Sequence, residues 1–255
     1  MNSSKIGSWV VGVLVVIAVL ITARQYLEIA SVTKAVSYES VPFNRPLPAA
    51  DLKFLFLGDS TAVGTGALSN QLSTAGYFGQ DFPLAEVINY GVNGKRIREL
   101  LTDLETKKFG NFNLVVIQIG GNDIMKFTPY SNIEDDLLKV IQKAKTFGRH
   151  VVILHSGNVG TAPIFHWPFD YIMTQRTRKV REIYMRSAKT LGVIYVDLFA
   201  EKKDDVFLTD VTRYYSSDFL HPSGDGYRWW YDRIVETLKQ HGVILYQKPY
   251  EKPTI

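Results

Sequence analysis

The sequence predicts an α/β domain: a three-layer α/β/α sandwich built on a five-stranded parallel sheet and preceded by an apolar N-terminal segment. Two patterns predict the sandwich. Five short runs are apolar throughout rather than alternating, the mark of strands buried on both faces, and segments with helical spacing separate them, as in right-handed βαβ units. A third observation fits. The chain has 255 residues, 46% of them hydrophobic, enough for one substantial core.

Taken in order, the first element is the stretch "IGSWVVGVLVVIAVLITA", Ile6 to Ala23, which carries no charge over 18 residues. As a helix it spans about 27 Å at roughly 1.5 Å per residue, close to a hydrocarbon thickness of about 30 Å. It is longer than a signal-peptide core of roughly 7 to 15 residues, and the nearest small-x-small pattern, Thr33-Lys34-Ala35, lies well beyond it. Residues 1–24 therefore read as an uncleaved membrane anchor, with a removed signal as the alternative. A helix apolar on every face at the extreme terminus has little reason to exist in a soluble domain. Lys5 and the terminal amine flank one side and Arg24 and Lys34 the other, so charge hardly sets the orientation. The expectation is an exported, extracytoplasmic domain.

Residues 25–51 read as a stalk, since "VPFNRPLPAAD" (Val41 to Asp51) holds three prolines and suits an extended spacer. The globular domain is expected over 52–242, with 243–255 as a tail. Its strands are expected at Lys53–Leu57, Glu86–Asn89, Leu114–Ile119, Val151–His155 and Val193–Val196, each ending near Gly, Asn, Ser or Asp. Helices are expected at Arg96–Lys107, Ile133–Phe147, Thr177–Leu191 and Asp225–Gln240. In such sheets the site lies outside the carboxyl ends of the strands. That rim would collect Ser60, Gly91, Asn122 and the loop from Ser156.

Composition narrows the chemistry. Net charge is +4, but Lys and Arg are scattered among nearly as many acids, without the basic stripe of a nucleic-acid binder. With no cysteine, disulfides, thiolate catalysis and Cys-ligated zinc are excluded. Neither G-x-G-x-x-G, Walker A, H-E-x-x-H nor G-x-S-x-G occurs, and no metal or cofactor is expected.

A serine hydroxyl becomes a nucleophile when a base takes its proton and a third group fixes the base's tautomer. Of five histidines, His221 in "SDFLHPSGDGY" has Asp218 three residues before it. One turn can aim that carboxylate at Nδ1 and leave Nε2 for Ser60. Donors for an oxyanion are offered by Asn122 on a Gly-Gly turn, by the N–H of Gly91, and by the N–H of Ser60 itself.

Gly58-Asp59-Ser60, then Gly91, then Gly120-Gly121-Asn122-Asp123, then Asp218-Phe219-Leu220-His221 resemble, in order and spacing, the four blocks of the SGNH, or GDSL-type, hydrolase family. The resemblance runs from about Lys53 to Gln240. It implies a flavodoxin-like fold and metal-free ester hydrolysis. It also implies Ser60 as nucleophile, His221 as base and then acid, Asp218 as its orienting carboxylate, and Ser60, Gly91 and Asn122 as oxyanion donors. Thr61 stands where the family often has leucine. Asp59 and Asp123 read as loop braces.

The loop "SGNVGTAPIFHWPFDYIMTQR" (Ser156 to Arg176) is long for its place and rich in aromatics, so Phe165, Trp167 and Phe169 are expected to line an acyl or alcohol pocket, with a lid or packing insert that makes no substrate contact as the alternative. "YRWWYDRI" (Tyr227 to Ile234) reads as a core-facing helix surface. The basic residues Lys95, Arg96 and Arg98 read as a solvated helix face. The expected substrate is a lipid-type acyl ester or an O-acetyl group. Acyl transfer on the same site and a non-catalytic, membrane-tethered module for acylated ligands are the alternatives.

Overall fold

A computed structural model describes residues 40–245 and, before them, residues 9, 10, 12, 13, 16, 17, 19–21, 23, 24, 27 and 31. The chain divides into two units, Met1–Glu39 and Ser40–Ile255. In the first, the described residues are helical and exposed. The expected anchor over 1–24 lies largely outside the described residues, among which no helix is long and apolar enough to cross a membrane.

The second unit is an α/β domain. In chain order it runs β1 (Lys53–Gly58), α1 (Ser60–Val63), α2 (Thr74–Asp81), β2 (Glu86–Gly91), α3 (Ile97–Thr106), β3 (Phe112–Gln118), α4 (Gly121–Met125), α5 (Tyr130–Ala144), β4 (Gly148–Leu154), α6 (Phe169–Leu191), β5 (Ile194–Tyr195), α7 (Val211–Tyr214) and α8 (Gly224–Gln240). All strand pairs are parallel, in the order β2-β1-β3-β4-β5, which is the doubly wound order of flavodoxin-like sheets.

Right-handed crossovers on this order put α2 on one face and α3, α5 and α6 on the other. The packing agrees: α3 meets α5 and α5 meets α6, while α2 meets α8. The apolar strands fill both interfaces. Phe54 and Phe56 of β1 turn edge-on to Phe78 of α2, with ring centroids 5.1 and 5.5 Å apart, and the alternating Leu55 and Leu57 are buried on the opposite face.

Three differences from expectation have physical causes. The spacer Val41–Asp51 is docked, not free. Arg45 bridges the outer edge of β2 through paired backbone bonds to Val87 (2.8 and 3.0 Å), and its guanidinium donates to the carbonyls of Gly79 and Phe82 at 2.8 and 2.6 Å. That edge strand is thereby covered. Second, α2 is a helix despite Gly76 and Gly79. A side chain at Gly79 would start 2.6 Å from the Phe43 ring, so close packing replaces intrinsic propensity. Third, α6 begins at Phe169 rather than Thr177, which draws the second half of the long loop into the helix.

Candidate active site

β1 delivers its last residue into a space only glycine fits. A Cβ on Gly58 would lie 1.8 Å from the Gln118 carbonyl oxygen. Asp59 then caps α1: its Oδ1 accepts the Thr61 N–H at 2.9 Å and the Thr61 hydroxyl at 2.7 Å. Thr61 thus ties down the cap through a hydroxyl that leucine would lack. Ser60 becomes the first residue of the helix, and its own N–H is one of the first-turn donors that no carbonyl within a helix can take.

His221 arrives from 161 residues away. Its loop is closed by the Ser216 N–H donating to the His221 carbonyl at 2.9 Å and by an antiparallel bridge between Tyr215 and Pro222. Within it, Asp218 Oδ1 accepts from the Ser216 hydroxyl (2.6 Å) and from the N–H groups of Leu220 and His221 (2.9 Å each). Asp218 Oδ2 lies 2.6 Å from His221 Nδ1, and His221 Nε2 lies 2.8 Å from Ser60 Oγ. The carboxylate only accepts, so Nδ1 carries the proton and Nε2 accepts from Ser60. Burial pushes the Asp218 carboxyl up, but the hydrogen bonds from His221 and Ser216 and the imidazole beside it outweigh burial and hold it at about 2. At neutral pH it is charged. Ser60 and His221 retain 7% and 6% exposure, enough to be reached from the cavity, and Asp218 none.

Asn122 sits on α4 across the same cavity. Gly120 precedes it with φ +117°, and a Cβ there would lie 2.8 Å from the Tyr184 hydroxyl. Asp123 faces away: its Oδ2 accepts the Ile97 N–H at 3.0 Å at the start of α3. Burial pushes Asp59 up to about 6 and raises Asp123 as well. Both brace loops, as read from the sequence.

Gly91 requires a correction. Its N–H donates to Asn89 Oδ1 at 2.9 Å, and it is not among the residues lining the cavity that holds Ser60, Asn122 and His221. Its bare Cα serves packing instead, because a Cβ would lie 2.7 Å from the Val63 nitrogen of α1. The expected aromatic wall also moves. Phe165 is buried, Trp167 is 80% exposed and Phe169 opens α6, and none of the three lines the cavity. The wall is made by Phe207, Tyr215, Trp229 and Trp230, with Asn158, Thr161 and Asp205 as polar neighbours, around a volume of about 70 Å³. Trp230 is core-facing as expected, yet it shares this wall. The available signal was position: α8 starts three residues after His221, so its first turns must lie beside the imidazole.

Other candidates are occupied elsewhere. His155 is buried, with Nε2 2.9 Å from the Tyr195 hydroxyl and Nδ1 against the Ser156 carbonyl, and burial lowers it to about 4. Lys95, Arg96 and Arg98 pair with Asp103, Glu99 and Asp136. Among the described residues no group of three His, Asp or Glu side chains is placed to hold a metal ion.

Comparison with known proteins decides the family. Residues 56–229 match the model of the GDSL-like lipase/acylhydrolase family, more than half of the chain. The chain belongs to this family. The GDSL-like domain is accordingly an ester-hydrolysing enzyme. Comparison with curated protein sequences gives no match. Solved structures with the same fold include a lipolytic protein of the G-D-S-L family from Veillonella parvula, 18% identical with a TM-score of 0.59, covering 74% of this chain and 99% of that one. The GDSL-like chain is also similar to the lipase/acylhydrolase from Enterococcus faecalis (18% identity, TM-score 0.56, 79% and 100% covered). A variant of an acetyl xylan esterase from Geobacillus stearothermophilus follows at 20% identity and TM-score 0.54, with 78% and 98% covered.

Proposed function

We propose that the chain is a serine esterase that hydrolyses carboxylic esters through an acyl-enzyme. The observation that carries this reading is the unbroken series from Ser60 Oγ to His221 Nε2 at 2.8 Å and from Nδ1 to Asp218 Oδ2 at 2.6 Å. Ser60 gives its proton to Nε2 as Oγ attacks the carbonyl carbon. The carbonyl π pair moves onto oxygen, where the Ser60 N–H and the Asn122 amide donate to it. Asp218, charged and buried, stabilises the imidazolium. His221 then returns the proton to the departing alcohol oxygen, leaving the acyl group on Ser60. Water enters, gives a proton to Nε2 and attacks the acyl carbon; the C–Oγ bond then breaks, the carboxylic acid leaves, and the proton passes from Nε2 back to Ser60 Oγ. Gly91 has no part in this scheme, since its N–H is engaged by Asn89. A lipid-type acyl ester and an O-acetyl group both present the required carbonyl.

A fluorophosphonate probe tests the nucleophile. The wild type is expected to label and Ser60→Ala to remain unlabelled, with esterase activity lower by several orders of magnitude. Labelling that survives Ser60→Ala moves the nucleophile elsewhere.

A further inference from the structure

We propose that Arg176 is a positioning residue, which holds α4 so that the Asn122 amide faces the carbonyl attacked by Ser60; the inference rests on the ester-hydrolysis reading above. Helix α4 has five residues, too few to hold its own conformation. Its entry is a left-handed glycine without a side-chain cap. Its exit is less usual still. The chain leaves through Phe127 at φ +54°, a conformation for which glycine or asparagine is the ordinary choice. Such an exit persists only where surrounding groups fix it.

The backbone closes this exit with the Thr128 N–H donating to the Asp123 carbonyl at 3.0 Å and the Phe127 N–H to the Ile124 carbonyl at 3.3 Å, and Arg176 ties the closed turn to α6. From α6, Nε donates to the Ile124 carbonyl at 3.0 Å and Nη2 to the Thr128 carbonyl at 2.9 Å, with the Asp123 carbonyl at 3.4 Å. These lie on both sides of the strained residue, and at the Ile124 and Asp123 carbonyls the guanidinium is a second donor beside the backbone N–H groups. The guanidinium is also held between two rings, 4.7 Å from the Phe127 centroid and 4.9 Å from that of Tyr130. Arg178 and Arg181 on the same helix pair with Glu201 and Asp197. Arg176 instead spends its fork on main-chain oxygens.

The consequence for the site follows from the length of α4. The Asn122 carbonyl accepts from the Lys126 N–H at 2.9 Å, and Ile124 N–H donates to Gly120 at 3.0 Å, so one turn links the amide to the exit. Asp123 is fastened to Ile97 at 3.0 Å and Lys126 Nζ to the Gly94 carbonyl at 3.1 Å, both toward α3, while Arg176 ties the helix to α6. Releasing the Arg176 tie lets the turn shift toward the α3 side and carries the Asn122 amide out of line.

The test is a double-mutant cycle in kcat with Arg176→Ala and Asn122→Ala, each checked for a cooperative melt. Arg176→Ala is expected to lower kcat about 100-fold with KM within about threefold, the pattern of a lost interaction made only in the transition state. In the Asn122→Ala background the same change is expected to cost less than about threefold, because a group that acts through Asn122 has nothing left to position. Added guanidinium ion should restore part of the activity of Arg176→Ala and none in the double variant. Should Arg176→Ala fail to fold, Arg176→Lys, which keeps the charge but not the fork, is read on the same cycle and should lose kcat in the same coupled way. Unchanged kcat in a folded Arg176 variant, or losses that multiply in the double variant, overturns the inference while leaving the esterase reading intact. Unchanged kcat in Asn122→Ala likewise overturns the inference alone, whereas a wild type that no fluorophosphonate labels removes the esterase reading and the inference together.

Discussion

Asp218 shows how much of the site rests on one fully buried carboxylate. Taking a charge out of water is costly, and four hydrogen bonds to two oxygens offset that cost. The same arrangement chooses the imidazole tautomer, and Asp218→Asn should break that choice while keeping the shape. The amide presents an N–H to Nδ1, so Nδ1 must accept and Nε2 must carry the hydrogen that now points at Ser60. His221 then cannot take the serine proton. The expected loss in kcat is about 10⁴-fold, with KM little changed and a native melt. Steady-state kinetics of the folded variant check it, and a kcat within about tenfold of wild type would mean that tautomer control is not what Asp218 supplies. At this scale the sequence was informative because Asp218 and His221 sit three residues apart in one loop. Arg176 was not legible: its partners are backbone carbonyls 48 to 53 residues away, which no spacing in the sequence announces.

At the scale of elements, legibility followed the source of each element's stability. β1 to β4 were visible as apolar runs, and α3, α5 and α8 as helical spacing, since their order comes from faces that repeat with the backbone period. α1, α4 and α7 have four or five residues and hold their shape through caps and tertiary contacts, so no period exists to read. Gly91 belongs to this class. Its significance is steric and depends on α1, a helix that periodicity cannot show. Gly91→Ala should therefore act on the placement of Ser60, because the new methyl meets the Val63 nitrogen at 2.7 Å and the Ala62 carbonyl carbon at 2.9 Å. Overpacking of this kind costs about 1–3 kcal/mol. A lower denaturation midpoint together with slower fluorophosphonate labelling is expected. Unaltered stability with reduced turnover would instead return Gly91 to the oxyanion role read from the sequence.

The whole molecule joins these local facts through topology. Ser60 and Asn122 follow β1 and β3, neighbours in the sheet, so the parallel order brings their loops to one rim, as expected from βαβ alternation. Which aromatic residues would wall the cavity depended on side-chain packing between distant segments: the loop from Ser156 does line it, through Ser156 to Val159, Thr161 and Ala162, but Phe165, Trp167 and Phe169 do not. The fold also buries two groups whose titrations oppose one another. Asp59 is raised by burial from 3.8 to about 6, so the folded state binds its proton more tightly than the unfolded chain. Stability from this group is gained as pH falls through 6 and is absent above it. His155 is lowered by burial from 6.5 to about 4, beside Tyr195, with Asp197 and Arg181 close by. The unfolded chain takes that proton first, so stability is lost as pH falls from 6.5 toward 4. Asp218, already near 2, keeps its charge across this window and loses its contribution only below it. Between about pH 7 and about pH 4.5 each of the two opposed groups is worth about 2 kcal/mol, with opposite sign. Asp59→Asn preserves the cap acceptor but removes the titration, and its stability should fall on acidification by about 2 kcal/mol more than that of the wild type. His155→Gln should shift the slope by a similar amount the other way. Urea denaturation at the two pH values measures both, and parallel pH dependence in all three proteins would show that neither buried group titrates apart from its unfolded value.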